Sequence, residues 1–515
     1  MGNQKKPCIV GIDIGTSSCK TLAVDGEGRV LSRATREYPV YTPLPGWSEQ
    51  DPLDWWEATK ITLSQVSLDV EAKGYTIDGI GLTGQMHGLV LLDGKGNVLR
   101  PCIMWNDQRS APYCEKIHES VGGEKEFLRL TNNPMLPGYT GGKILWVREQ
   151  ESDVFQKAEK FLCPKDYIRF QLTGKYVTDV TDASGTGLFS IRERRWAEDL
   201  IKSLGIPFAL FPEVYESPEI TGVVQKGVAT EVGIKSGIPV VGGGGDAVVQ
   251  TIGVGAISSD IISITLGTAG IVAVSLDDFC ENPGSTLQFF CNAIPKRWIV
   301  YGTTLAAGGS LSWFRNTLGG LEKELAWWMK RSPYDFLSEE AELSSPLGRG
   351  ILFLPYLIGE RCPHSDPHAR GVLIGFGLHH SRNDIVRSIF EGIVFSLRDV
   401  YASMEALGLT ASQVRLTGGG AKSKFFQKLH ADIFGSEVLT VNYGEEGGSY
   451  GAALLAGVGI GLWPSIEEAI TKLEIQERTF PHEDNTRLYT EFFRVYQSLY
   501  GVLGETFKKM SNFQR

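Results

Sequence analysis

The chain has 515 residues, 42% of them hydrophobic and 21% charged, with a formal net charge of −10. That is an ordinary globular composition, and at ~150 residues per domain the length predicts two to four domains. The acidic balance argues against a general nucleic-acid or membrane-surface binder, yet leaves room for an anionic nucleotide held locally by backbone amides and a metal.

In chain order, the opening MGNQKKPCIVGIDIG has only a brief apolar run before Asp13 and Gly15. It reads as a strand, with no signal peptide or membrane anchor. The strand begins too soon for the Met-Gly-Asn start to serve as a lipidation site. CIVGIDIG, CKTLAVD and VLSRATREYPV predict a β-meander whose tightest turn is at 15–18. Residues 51–70 have helical spacing, with Asp51 or Asp54 as N-cap. IDGIGLTG at 77–84 is another strand, and LVLLD at 89–93 predicts a hairpin through the glycines at 94–96.

From Ile238 the same pattern begins again. IPVVGGGGDA is a strand and Gly-rich turn, and AISSDIISITLGTAGIVAVS repeats the strand–turn–strand pattern of residues 8–25. Between it and VRLTGGGAKSKFFQKLHADIFG, a strand–turn–helix unit, residues 384–407 predict a long amphipathic helix. A helix rich in aromatics is predicted over 486–510. The repeat is one of architecture, so a ligand gripped by both Gly/Thr/Ser turns would lie between two halves that meet near 242–262. The eight cysteines include no C-x-x-C pair, which indicates neither a zinc site nor a redox motif. They fit reduced thiols, so a cytoplasmic location is expected.

Three turns are candidates for a phosphate grip. In Asp13-Ile14-Gly15-Thr16-Ser17-Ser18, Gly15 lets the backbone approach a phosphate, while amides and hydroxyls of Thr16 and Ser17 can donate to its oxygens. Asp13 can hold magnesium, an ion that takes oxygen ligands, and Lys20 adds positive charge. Gly267 and Thr268 lie on a second turn of this kind, and Gly419, Gly420 and Ala421 follow the strand VRLT. Taken singly, each reads equally well as a plain hairpin turn or a helix start. None matches the P-loop pattern.

Asp246 follows four glycines. Phosphoryl transfer to an alcohol needs positioning, charge neutralisation and an acceptor for the hydroxyl proton. Asp246 suits the last role, although spacing alone favours a helix cap. Met86 and His87 stand between glycines at a strand end, and Trp105 precedes Asn106 and Asp107. Such apolar walls with planar polar groups suit a sugar, while a packed loop and a surface ion pair are the plainer alternatives.

The three turns together resemble the actin/hexokinase/Hsp70 ATPase superfamily, which implies two RNase-H-like α/β domains with an ATP cleft between them. LTGQMHG, MWNDQRS, GYTGGKILWVREQ, CPKDYIRFQLTG, TDASGTGLF, GGGGD, GVLIGFGLHHSRNDIVRSIFEG and EEGGSYGAALLA add a narrower resemblance. The chain is similar to the FGGY carbohydrate kinases and, within them, most like the xylulokinases, over residues 11 to about 456.

That resemblance implies a sugar-binding N-terminal domain, residues 1–245, and a nucleotide-binding C-terminal domain, residues 246–515. It implies ATP and Mg2+ as cofactors and a small sugar or polyol as partner, with no nucleic acid and no membrane; by analogy alone it implies a homodimer. Asp246 matches the catalytic base, which also touches the sugar, and Asp13 with Asp246 the metal side. Gly15, Thr16, Ser17 and Lys20 match the first phosphate turn, and Gly267 and Thr268 the second. Gly308 and Gly309 match a Gly-rich turn near the nucleotide, and Gly419, Gly420 and Ala421 the adenosine side. Met86, His87 and Trp105 match sugar contacts. The implied reaction is D-xylulose to D-xylulose 5-phosphate. Xylulokinases commonly follow the catalytic Asp with Asn, but Ala247 stands here. That departure leaves the kinase reading intact and makes a kinase of gluconate, ribulose or a polyol the alternative; a non-catalytic actin/Hsp70-like nucleotide switch, which shares the phosphate turns, is the rival from another class.

Overall fold

Two mixed sheets, each begun by an antiparallel meander, organise the chain. In this computed structural model, residues 5–284 and 286–513 are described; the Met-Gly-Asn start lies outside them. The meander is β1 (Lys6–Ile14), β2 (Ser18–Asp25) and β3 (Val30–Glu37), with Ile14 opposite Cys19 across the predicted turn. Helix α1 (Pro52–Ala72) follows, capped by the Asp51 carboxylate, which accepts the Leu53 N–H. Proline at N1 is pre-set for a helix. Its apolar face, including Trp55, Leu63 and Val66, packs on β2 and β3. β4 (Tyr75–Gly84) then returns parallel to β1.

The predicted hairpin after β4 forms its turn, with Gly96 N–H donating to the Asp93 carbonyl at 2.9 Å. The returning arm pairs through isolated antiparallel bridges, Leu92 with Val98 and Leu89 with Ile103, and Val90–Leu92 also forms a ladder with Lys160–Leu162. All three residues of Val90–Leu92 are buried, and one short hairpin arm cannot cover them. The chain continues through α2 (Thr140–Gln150) and α3 (Pro164–Thr173) before rejoining the sheet. It does so as β5 (Ile220–Val223), β6 (Pro239–Val241) and the two-residue β7 (Gly244–Gly245). The order is β5-β6-β4-β1-β2-β3, with β7 alongside the end of β4.

Helix α4 (Asp246–Gly253) crosses to the second sheet. There the strands are β8 (Ile261–Leu266), β9 (Gly270–Leu276), β10 (Gln288–Cys291) and β11 (Trp298–Thr304). After α5 (Ala307–Thr317) and α6 (Arg382–Glu405) come β12 (Gln413–Gly418), α7 (Lys424–Phe434) and β13 (Glu437–Val441). The chain ends with α8 (Gly447–Gly459), β14 (Ile475–Thr479) and α9 (Glu483–Ser511). The order is β10-β11-β9-β8-β12-β13-β14. β8 thus has an antiparallel hairpin partner on one side and a parallel strand on the other, as β1 does. The predicted repeat of architecture is therefore present, and the long helices stand where the spacing put them.

Although α8 comes late in the chain, it lies on the first sheet. A Cβ on Gly11 would stand 1.8 Å from the Ser449 carbonyl oxygen, and one on Gly81 1.9 Å from that of Ala452. Glycine on β1 and β4 is what lets the helix settle. The second sheet's edge strand β10 is met by side chains of the first half. Phe289 N–H donates to Asn133 Oδ1 at 2.9 Å, and Asn133 Nδ2 donates to the Phe289 carbonyl at 2.6 Å. An amide side chain there takes the place of a missing neighbour strand. Among the described residues no helix is long and apolar enough to cross a membrane, and the eight cysteines are free.

Candidate active site

The candidate residues gather at the carboxyl ends of parallel strands. Ile14 at the end of β1 pairs with Gly84 of β4, and Gly84 pairs with Gly245 of β7. Gly15, Gln85 and Asp246 therefore leave the sheet side by side, at steps of ~4.8 Å. Outside the carboxyl ends is where open α/β sheets bind ligands. Gly15 N–H closes the first turn onto the Ser18 carbonyl at 3.1 Å. In the second sheet Gly267 N–H closes the matching turn onto Ala269 at 3.0 Å. The pairing of Leu266 with Gly418 sets Gly419, Gly420 and Ala421 beside that turn. A Cβ on Gly419 would meet nothing within 4 Å. A cavity of about 310 Å³ opens there, lined by Gly418, Ala421, Thr440, Tyr443 and Gly444.

Gly308 and Gly309 do not form the free Gly-rich turn expected of them. They belong to the first turn of α5, and their amides donate to the carbonyls of Gly267 and Thr268, both at 3.0 Å. The glycines are needed because a Cβ on Gly308 would stand 2.5 Å from the Gly267 oxygen. The pair braces the second turn, and these two amides are already engaged.

Asp13 faces Lys20 on one neighbouring strand and Thr83 on the other. Its Oδ1 is buried with no hydrogen-bond partner among the described residues, and so is Thr83 Oγ1. Burial pushes the Asp13 carboxyl up to about 6, against the pull of Lys20. A Cβ on Gly448, at the start of α8, would stand 2.9 Å from Asp13 Oδ2, so that helix closes over the carboxylate. Asp246 is the first residue of α4, and its Oδ1 accepts the Ala247 N–H at 2.8 Å. The cap position is taken by Gly245, not by Asp246 as spacing alone suggested, and the Asp246 carboxyl is pushed up to about 7, first by burial and then by the charge on Asp13. An orphaned buried oxygen on Asp13 and a second carboxylate, Asp246, that the Asp13 charge helps to raise are a donor set that fits a hard divalent cation.

Met86 is buried against the Asp246 loop: a Cβ on Gly245 would stand 2.5 Å from Met86 Cγ. His87 has a positive φ of 67°. Its Nδ1 lies 2.7 Å from the Gly185 carbonyl, and its ring stacks on Tyr139 at 4.8 Å. Burial drives His87 down to about 3. The ring is therefore neutral, and the bond to Gly185 assigns the proton to Nδ1 and leaves Nε2 as an acceptor. Lys143 Nζ and Thr140 Oγ1 hold the His87 carbonyl at 2.8 and 3.0 Å. Trp105 is partly exposed, and its indole N–H donates to Thr16 Oγ1 at 3.1 Å. It bridges the expected sugar side and the turn at 15–18. Phe290 of β10, with its ring centroid 6.1 Å from that of His87, adds a wall from the second half.

Sequence reasoning missed Thr83, Tyr139, Lys143 and Gly448. All four lie in segments quoted for their pattern, but their roles depend on contacts with residues distant in sequence. A larger cavity, about 1060 Å³, lies elsewhere, lined by exposed charges such as Lys125, Arg129, Arg192 and Glu281. No residue of the strand-end cluster lines it.

Residues 8–253 match the FGGY family of carbohydrate kinases, N-terminal domain, and residues 262–460 match its C-terminal domain. The chain belongs to the FGGY family of carbohydrate kinases. A xylulose kinase of Lactococcus lactis is 34% identical to it, over 98% of this chain and 99% of that one. A gluconokinase of Bacillus subtilis is 30% identical, over 98% of each chain. Among solved structures, a ligand-bound xylulose kinase from Lactobacillus acidophilus is 27% identical, with a TM-score of 0.89. That match covers 98% of this chain and 100% of the other. The two-domain α/β fold expected from the superfamily resemblance is the one observed. As an FGGY carbohydrate kinase, the protein transfers the terminal phosphoryl group of ATP to a sugar hydroxyl.

Proposed function

We propose that the chain phosphorylates D-xylulose at its terminal O5, giving D-xylulose 5-phosphate, with Asp246 as the base. The observation that carries this reading is the strand-end cluster: a carboxyl raised to about 7 beside Met86 and a neutral His87. A base works best with a pKa near the working pH. Residues 246–515 supply most contacts to ATP, through Gly267, Thr268, Gly419, Gly420 and Ala421. Residues 1–245 supply most contacts to the sugar, through Met86, His87 and Trp105. Gly15, Thr16, Ser17 and Lys20 approach the transferred phosphate from the sugar side.

Asp13 and Asp246 are the residues that would hold Mg2+, which when bound neutralises phosphate charge. Asp246 takes the proton from the O5 hydroxyl as that oxygen attacks the γ-phosphorus. The bond from the γ-phosphorus to the β–γ bridging oxygen breaks, and ADP leaves. Closure of the cleft over Trp105 and Thr16 keeps water from competing as acceptor. A cytoplasmic location fits the free cysteines.

A gluconate kinase is the second reading. It is favoured by Ala247, which lacks the amide that xylulokinases commonly place after the base, and by the similarity to a gluconokinase. ADP release across a panel of ketoses, polyols and aldonic acids, compared as kcat/KM, separates the two. D-xylulose leads the panel on the first reading and gluconate on the second. In the same assay Asp246→Ala loses ~10²–10⁴-fold in turnover; retention of most activity removes Asp246 as base.

A further inference from the structure

Behind the Asp246 loop lies a group of charges that the proposed chemistry does not use. Lys165, Asp166 and Arg169 on α3 are fully buried, as are Asp179 and Asp182. Lys165 Nζ stands 2.6 Å from Asp166 Oδ1, 2.7 Å from Asp179 Oδ1 and 3.0 Å from Asp182 Oδ2. Arg169 Nη2 donates to Asp166 Oδ1 at 2.6 Å. Burial raises the Asp182 carboxyl to about 8. With that acid neutral, two cations face two carboxylates and the cluster is balanced. Cys163, Asp166 and Asp182 also come within ligand distance of one another. The Lys165 ammonium, touching both carboxyl groups, is already the cation there.

Burying this many charges costs more in desolvation than hydrophobic packing of the same volume would. What they hold is specific. Arg169 Nη2 donates to the Gly242 carbonyl at 2.6 Å. Asp179 Oδ2 accepts from the Thr181 hydroxyl at 2.6 Å and from the Thr181 N–H at 2.7 Å. The Thr181 oxygen in turn accepts the Gly245 N–H at 2.8 Å, one residue before Asp246. The four-glycine loop is thus gripped at both ends. The short helix Val180–Ser184, capped by Asp179, has two further attachments. Ser184 Oγ accepts the Cys291 N–H of β10 at 3.1 Å, and the next carbonyl, Gly185, receives His87. One buried segment therefore fixes the base, the sugar-side histidine and the facing edge of the second sheet.

We propose that Thr181, anchored by Asp179 and Lys165, is a positioning residue for phosphoryl transfer: it sets the backbone from which Asp246 projects. This rests on Asp246 being the base. Four glycines in a row give the loop little stiffness of its own, so its geometry has to come from outside it. A misplacement of about 1 Å can cost ~10²-fold in rate.

The test is a double-mutant cycle of Thr181→Val with Asp246→Asn. Sugar-dependent turnover is measured alongside thermal unfolding and ADP binding, with Thr181→Ser as the conservative variant. Thr181→Val is expected to lower kcat 10- to 100-fold, with sugar KM and ADP affinity within about twofold, and Thr181→Ser to restore most of it. In the Asp246→Asn background, Thr181→Val adds no further loss. Unchanged kcat in folded Thr181→Val, or a full additional loss in the double variant, overturns the proposal. High activity in Asp246→Asn alone instead overturns the base reading. If Thr181→Val does not fold, Asp179→Asn reads the same link: the same selective loss of kcat supports it, and wild-type kcat overturns it.

Discussion

Asp246 and His87 are pushed in opposite senses by the same cause. Burial disfavours charge, so the carboxyl rises to about 7 and the imidazole falls to about 3. The consequence for pH dependence differs between them. A base must be ionised, so kcat falls as pH drops, with its acid limb at or below about 7 because a bound cation favours the carboxylate. His87 gains its proton only near pH 3, so sugar KM stays flat between pH 5.5 and 8.5, a span covering the usual range of histidine. Steady-state kinetics over that span check both; a KM limb near 6.5 would show that His87 titrates in the site. At this scale Asp13, Thr16, Met86, His87 and Asp246 were legible as candidates because their types and strand-end settings are unusual for bland loops. Thr181 and Asp179 were not. They act on Gly245 from 64 residues away in the case of Thr181, and no local pattern announces such a bond.

Among the elements, α8 decides the shape of the site. Its glycine- and alanine-rich sequence reads as a buried helix, and local spacing cannot say that its bed is the first sheet. The complementary glycines on β1 and β4 carry that information only once the register is known. Gly81→Val tests the fit, since its first added carbon would overlap the Ala452 carbonyl. Overpacking of this kind costs ~1–3 kcal/mol, and a helix shifted away also uncovers Asp13. Urea unfolding should show that loss together with a fall in activity. Gly227→Ala is the control. A Cβ there meets nothing within 4 Å, its helix Lys226–Val232 favours alanine, and stability should rise by ~0.5–1 kcal/mol. The α5 glycines teach the same point: Gly308 and Gly309 fit a helix against a turn, a contact that local spacing does not reveal.

For the whole molecule, the doubled strand–turn–strand pattern was visible in the sequence because each half buries an apolar meander that ends in a Gly/Thr turn. How the halves are tied was not visible. The ties are Asn133 on the β10 edge, Ser184 on Cys291, and Gln288 Nε2 donating to the Tyr139 hydroxyl at 2.9 Å. Each depends on side chains meeting backbone or ring across the cleft. On the proposed function, they bring Phe290 of β10 beside His87 in the site where Asp246 would receive the proton. A crystal structure with D-xylulose, magnesium and a non-hydrolysable ATP analogue tests this most directly. The account predicts the Asp246 carboxylate about 3 Å from the terminal hydroxyl, with that oxygen in line with the γ-phosphorus. A closed cleft that leaves the carboxylate out of reach of every sugar hydroxyl would contradict it.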